Sequence, residues 1–298
     1  MSVTILLLAC LTAVPADQQR EVVATVNGQP IYQAQVASQI KRALNGRDVP
    51  HDVRQRLESE TVQQLINQQL VLDYLQRKGK AASDQDVDLA VSRLKQNLGR
   101  QAKTLEEYYE ITGLDEDLLR RYFRWQISWQ RLLDGYLTDE NLQRYFKDHR
   151  REFDGTELRV AQILWKAGDA DEMKAAGEKA KRLRAEIVRG DLTFAQAATK
   201  HSQAPSSADG GKQGWIKRHE PMPESFSRAA FQLKVDEVSV PVETSFGVHL
   251  IQCLEEKSGE RNWEDARDEL RKAVTRYLFS WAASRERERA EVVVETPK

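Results

Sequence analysis

Between residues 194 and 251 the chain reads Phe194-Ala195-Gln196-Ala197-Ala198, then Ser202, then Gly210-Gly211-Lys212-Gln213-Gly214-Trp215, then Met222 to Phe226, Ala230-Phe231 and Phe246-Gly247-Val248-His249-Leu250-Ile251. Thr193 followed three residues later by Gln196 is a capping box, in which each side chain satisfies a free backbone donor of the other, so a helix starts there. Ser202 to Gly214 is rich in Ser, Gly and Pro and reads as a loop. Residues 238–242 and 246–254 read as two strands, and alternation along the second puts His249 on the same face as Ile251 and Cys253, half-buried. Upstream, Leu158, Val160, Gln162 and Leu164 alternate with Arg159, Ala161, Ile163 and Trp165, so another strand follows the composition shift at Asp154-Gly155. Together these segments outline an α/β domain over residues 155–258.

Outward from it the pattern becomes helical. Val62, Leu65, Ile66, Leu70 and Tyr74 recur at three- and four-residue intervals, as do Val87, Val91, Leu94 and Leu98 after the start signal Ser83-Asp84. The stretch from Asp115 to Leu137 carries Tyr122, Phe123, Trp125, Trp129 and Tyr136, and Thr138-Asp139-Glu140 opens a further helix toward Phe153. Before these, Asn27-Gly28 supplies residues that tolerate positive φ between two short extended pieces, which makes residues 22–31 a hairpin. Beyond Gly259 the helical pattern returns with Leu270, Val274, Tyr277 and Trp281 on one stripe, and Val292-Val293-Val294 is a short β-type run. Neither helical flank buries its stripe alone. The C-terminal helix is therefore expected to pack on the N-terminal helices, and residues 292–294 to pair with residues 22–26.

Composition narrows the function. The 298 residues hold 45 Lys and Arg against 46 Asp and Glu, a net charge of −1, which gives no bulk electrostatic reason to expect nucleic acid or an anionic membrane as partner. Five histidines, at 51, 149, 201, 219 and 249, and two cysteines, Cys10 and Cys253, show no metal-ligand spacing, so no metal is expected. Val3 to Val14 is nearly all apolar, too short to span a bilayer, and ends in Val14-Pro15-Ala16; residues 1–16 read as an export signal cleaved after Ala16 or a short anchor, with lipid attachment at Cys10 as the other reading. Any membrane association would run through that anchor.

The residues quoted at the outset resemble the parvulin-type peptidyl-prolyl isomerases in order and spacing over about a hundred positions. The flanks, Val26-Asn27-Gly28-Gln29-Pro30-Ile31, Leu65-Ile66-Asn67-Gln68-Gln69-Leu70 and Thr138-Asp139-Glu140, look like the SurA and PrsA type of exported foldase. The resemblance implies an α+β fold: a mostly helical chaperone module over residues 17–154, an inserted α/β parvulin domain over 155–258, and a C-terminal helix and strand over 259–298 completing the N-terminal module. It implies a periplasmic or cell-envelope protein that binds unfolded or proline-containing polypeptides and speeds rotation about X-Pro bonds, a step that needs no cofactor. By similarity, Met222 and Phe226 line the proline pocket, while Thr244 and His249 belong to the polar network beneath it. From spacing alone, His249 also reads as a hydrogen-bonded core histidine, and Met222 and Phe226 as plain helix core.

Three positions depart from the family pattern. Gln162 stands where a histidine is common, Ala204 where an Asp or Cys usually follows the serine, and Gln213 where an apolar Leu or Met is expected in the Gly-Gly loop. Gln162 can donate and accept hydrogen bonds but cannot titrate, Ala204 can do neither, and Gln213 brings an amide toward an apolar pocket. The resemblance thus implies weak isomerisation; the alternative is a chaperone whose parvulin domain only clamps peptide. A third reading makes the helices an assembly scaffold. Tyr108, Tyr109, Trp125 and Trp129 are the expected aromatic surface for holding unfolded segments.

Overall fold

The computed structural model describes residues 21–45, 47–219 and 221–295. The apolar N-terminal segment with Cys10 and Ala16 lies outside them. The chain divides into two compact units, one formed by residues up to Thr138 together with those from Ala273 onward, the other by Asp139–Lys272. No described helix is long and apolar enough to cross a membrane.

In the first unit, β1 (Val22–Val26) and β2 (Gln29–Tyr32) form an antiparallel hairpin, and Asn27 and Gly28 at its tip both take positive φ, 51° and 75°. That is the turn whose twist matches paired strands. At the far end of the chain β7 (Val292–Val294; β3 to β6 lie in the second unit) pairs antiparallel with β1, Ala24 opposite Val294 and Val26 opposite Val292. The sheet order β2-β1-β7 makes the module discontinuous in sequence.

Around this sheet run α1 (Gln33–Leu44), α2 (His51–Arg77), α3 (Asp84–Arg100), α4 (Leu105–Thr112) and α5 (Glu116–Tyr136). Ser83 and Thr104 cap α3 and α4 through reciprocal boxes, Asp115 caps α5, and Gly113 ends α4 in the left-handed region. The last long helix, α11 (Arg267–Arg287; α6 to α10 lie in the second unit), straddles the division between the units. In the first unit its residues meet α2 and α5: Glu286, itself buried, receives Arg77 Nη2 at 2.8 Å, Trp281 lies edge-on to Tyr74 at 5.4 Å, and Phe279 edge-on to Trp129 at 5.6 Å. The buried stripe differs from the one expected. It runs through Leu270, Val274, Leu278 and Ala282, whereas Tyr277 is 54% exposed. At 3.6 residues per turn the two stripes are one position apart, and the branched Leu278 takes the dry side while the tyrosine with its hydroxyl takes the wet one.

The second unit opens with α6 (Asp139–Asp148) and α7 (Arg150–Phe153), so its edge falls before the residue-154 boundary expected from composition. The cause is local. Phe153 is buried, Arg151 donates to the carbonyl oxygens of Phe231 and Leu233, and Arg218 bridges Glu152 and Glu224. Then follow β3 (Glu157–Lys166), α8 (Ala170–Arg189), α9 (Phe194–His201), a 3-10 turn (Pro205–Asp209), β4 (Lys212–Ile216), α10 (Glu224–Ala230), β5 (Val242–Thr244) and β6 (Gly247–Lys257).

These strands make one antiparallel sheet of order β4-β3-β6-β5. Period-two alternation gives it two dry faces. Ala161, Ile163, Trp165, Val248 and Leu250 pack with Ala176, Ala180 and Leu183 of α8 and with Phe194, Ala197 and Ala198 of α9. On the other face Leu158, Val160, Ile251 and Cys253 pack with Ile216, Phe226, Ala230, Phe231 and Val242.

Two sequence expectations change here. The loop of residues 202–214 contains the start of the edge strand β4, hidden because its glycines, Gly211 and Gly214, take positive φ and suggest only turns. Residues 238–241 are not strand: Val238 makes one isolated bridge to Gln252, Ser239 is held by Ile251, and Pro241 has no N–H to give a ladder.

Candidate functional site

On the sheet face that carries Ile251 and Cys253, the register assembles a polar row. Leu164 and Val242 both sit opposite His249, and Gln162 opposite Ile251, so positions 162, 249 and 244 lie on one face along a diagonal across β3, β6 and β5. Their side chains meet. His249 Nδ1 lies 2.8 Å from Gln162 Oε1, and His249 Nε2 lies 2.8 Å from Thr244 Oγ1. Thr244 Oγ1 in turn accepts the Phe246 backbone N–H at 3.0 Å.

The histidine is 4% exposed, and burial pulls its pKa down from 6.5 to about 4. It is therefore neutral at pH 7. A neutral imidazole carries one proton, and the carbonyl oxygen of Gln162 can only accept, so the proton sits on Nδ1 and Nε2 accepts from the Thr244 hydroxyl. The result is a chain of hydrogen bonds pointing one way, from the Phe246 amide through Thr244 and His249 to Gln162.

Over this row lies Phe226 from α10, fully buried, its ring edge-on to the imidazole at 5.4 Å and 87°. Met222 packs, partly buried, against the same apolar cluster. Helix α10 is held in place by Arg218, whose guanidinium donates two bonds to Glu224 at 2.8 and 2.9 Å and one to Glu152 at 2.9 Å. That arginine is 7% exposed, and a buried charge is tolerable only because both carboxylates meet it.

The other two expected positions make no hydrogen bond to the row among the described residues. Gln213 on β4 donates from its amide to Ser206 Oγ at 2.5 Å, which holds the 3-10 turn to the edge strand. Ala204 is buried and stands at the start of that turn, its N–H donating to Ser202 Oγ. Gly211 approaches the row most closely through its backbone, its carbonyl accepting the Gln162 N–H at 2.8 Å. Cys253 is buried and burial pushes its thiol up, so it is no nucleophile.

Sequence reasoning did not reach Arg218, whose partner Glu152 is 66 residues away. Nor did it reach Ser239, whose hydroxyl accepts the Ile251 N–H. Among the aromatic candidates in the first unit, Trp129 is 8% exposed and is ordinary core, wedged against Phe279. Tyr108, Tyr109 and Trp125 are partly buried.

A four-stranded antiparallel sheet with helices on both faces, a neutral histidine in a buried hydrogen-bond chain and an aromatic ring over it define a parvulin-type domain. The comparisons agree: residues 163–255 match the PPIC-type PPIase domain and residues 2–133 match the SurA-like N-terminal domain, so the chain carries a SurA-like N-terminal domain and a parvulin-type domain and resembles the SurA- and PrsA-like foldase chaperones. It is 27% identical to the chaperone SurA of Alkalilimnicola ehrlichii over 275 residues, covering 86% of this chain and 62% of the relative. It is also 27% identical to the foldase protein PrsA of Bacillus subtilis over 208 residues, covering 69% of this chain and 63% of the relative. The chain thus spans a little over three fifths of the length of these relatives. The crystal structure of the peptidylprolyl isomerase PrsA from Bacillus anthracis aligns at 22% identity with a TM-score of 0.38, covering 76% of this chain and 95% of that one.

Proposed function

We propose that the chain is an exported folding factor that binds unfolded, proline-containing polypeptides and isomerises their X-Pro bonds slowly. The observation that carries this reading is the neutral chain Thr244–His249–Gln162 roofed by Phe226. Rotation about an X-Pro bond must break the partial double bond of the amide, against a barrier of about 18–20 kcal/mol, and no proton need be transferred. Met222, partly buried, offers the ring an apolar contact with the fully buried Phe226 packed behind it, and there the charge-separated planar amide loses the water that stabilises it. The twisted amide gains in comparison, which is differential binding of the transition state. The role of His249, Thr244 and Gln162 is to fix the floor of that pocket without presenting a charge. Export is supported by the apolar residues 3–14 and by the kinship with SurA and PrsA.

Slowness is the part that rests on Gln162, Ala204 and Gln213. A second reading, a peptide clamp without turnover, is favoured by the same substitutions. One experiment separates them: the cis-to-trans rate of a proline peptide measured beside suppression of aggregation of an unfolded client, for wild type and for Gln162→His with Ala204→Asp. The double substitution is expected to raise the rate about ten- to a hundredfold, since each tenfold requires about 1.4 kcal/mol, the size of one or two polar contacts. No catalysed rate in either protein, with aggregation still suppressed, leaves the clamp. A wild-type rate already equal to that of a parvulin with its histidine and acid in place would overturn the slow-enzyme reading.

A further inference from the structure

The first unit contains a cavity of about 70 Å³ lined by residues of α1, α2, α5 and the hairpin, among them Gln39, Arg42, Leu65, Leu72, Arg121 and Trp125. Two polar atoms of this lining are buried without a hydrogen-bond partner: the carbonyl oxygen Oε1 of Gln39, an acceptor, and the indole Nε1–H of Trp125, a donor. An orphaned buried polar atom is costly, and two around one cavity is a pattern that a ligand would repair. Charge adds direction. Arg42 and Arg121 both line the cavity, no acidic side chain does, and none of the ion pairs among the described residues includes either arginine. Their other contacts leave donors over: Arg42 Nε donates to Ser38 O and its guanidinium lies over the Tyr122 ring, and Arg121 Nη1 donates to Pro30 O. Each guanidinium has five N–H donors.

The lining therefore offers an indole N–H and two guanidinium groups to an anion, one carbonyl acceptor to an N–H, and Leu65 and Leu72 to something apolar. We infer that this cavity binds the C-terminal carboxylate of an extended polypeptide, with the last backbone N–H donating to Gln39 Oε1. The inference rests on the proposed role in binding unfolded chains and names what part of the chain this module would grip. An anion without an N–H would leave Gln39 orphaned, and an internal peptide amide would leave both arginines unmatched. A volume of about 70 Å³ admits a carboxylate and a few carbons, where a single water occupies roughly 10–15 Å³ by the same measure.

The test uses the full chain labelled with ¹⁵N, in which the Trp125 indole resonance is identified by its loss in Trp125→Phe. Titration with the N-acetylated peptide Gly-Ser-Ala-Leu-Leu bearing a free carboxylate is expected to shift that resonance saturably, and its C-terminal amide twin to bind at least about tenfold more weakly. Gln39→Leu should lower affinity for the free acid about tenfold while leaving or raising the melting temperature, because it deletes an unsatisfied group. Equal binding of both twins would overturn the inference, as would an indole resonance unmoved at millimolar peptide, the outcome for a cavity that holds only solvent. The wild-type comparison of the twins stands even if a variant fails to fold. Aggregation suppression is measured in parallel, so failure at this cavity is distinguishable from failure of client binding as such.

Discussion

Acidification should weaken the sheet unit through one residue, His249. Its imidazole is held at about 4 from an unperturbed 6.5 by burial among Gln162, Thr244 and Phe226. Above pH 6.5 it is neutral in both native and unfolded chains, so its contribution to stability is complete there. As pH falls from 6.5 to about 4, the unfolded chain takes up a proton that the native chain refuses, and stability drains away. Below about 4 both forms are protonated and the loss levels off. A pKa held at about 4 rather than 6.5 corresponds to about 3 kcal/mol over that window, a large share of the stability of an ordinary domain. The direct measurement is the pH titration of the His249 Cε1–H resonance, with a midpoint expected near 4. The thermodynamic one is urea unfolding between pH 7 and 4 of wild type and His249→Gln, wild type losing about 3 kcal/mol more over the window. The isomerisation rate should stay flat from pH 7 to 5, because the histidine does not change its charge there. A midpoint near 6.5, or equal pH slopes for the two proteins, would refute the reasoning.

Gly211→Ala should cost about 3 kcal/mol or more, because Gly211 has φ +84° and a Cβ there would meet Gln162 O at 2.3 Å; an unchanged urea midpoint would show that the backbone under the site is not tight. Phe226→Ala opens a fully buried position and should destabilise the sheet unit by about 3–5 kcal/mol, so its loss of activity is not diagnostic. Phe226→Leu, which keeps most of the volume, is the fairer test: it should fold, and slow the peptide rotation, and a wild-type rate would remove Phe226 from the site. Deleting residues 292–298 strips β7 from β1, and the backbone amides of Val22–Val26 should then exchange with solvent faster; unaltered protection would show that the pairing contributes nothing.

Much of this was legible in local chemistry. The Asn27-Gly28 turn, the helix start at Ser83, the box at Thr193 and the alternation along residues 158–165 are decided within a few residues, since caps, turns and strand periodicity depend on neighbours in sequence. The same alternation put His249 on the face of Ile251 and Cys253, where it is. Tertiary structure decided the rest. A strand that follows one glycine of positive φ and contains another becomes one only when β3 pairs with it, and the choice between Tyr277 and Leu278 for the dry side of α11 belongs to the surface α11 meets. Helices α6 and α7 join the sheet unit because Arg151 and Glu152 find partners 66 or more residues away. The proton on His249 was beyond sequence for the same reason. It is placed by an acceptor 87 residues upstream and kept single by the exclusion of water, and neither distance nor desolvation is written along a chain.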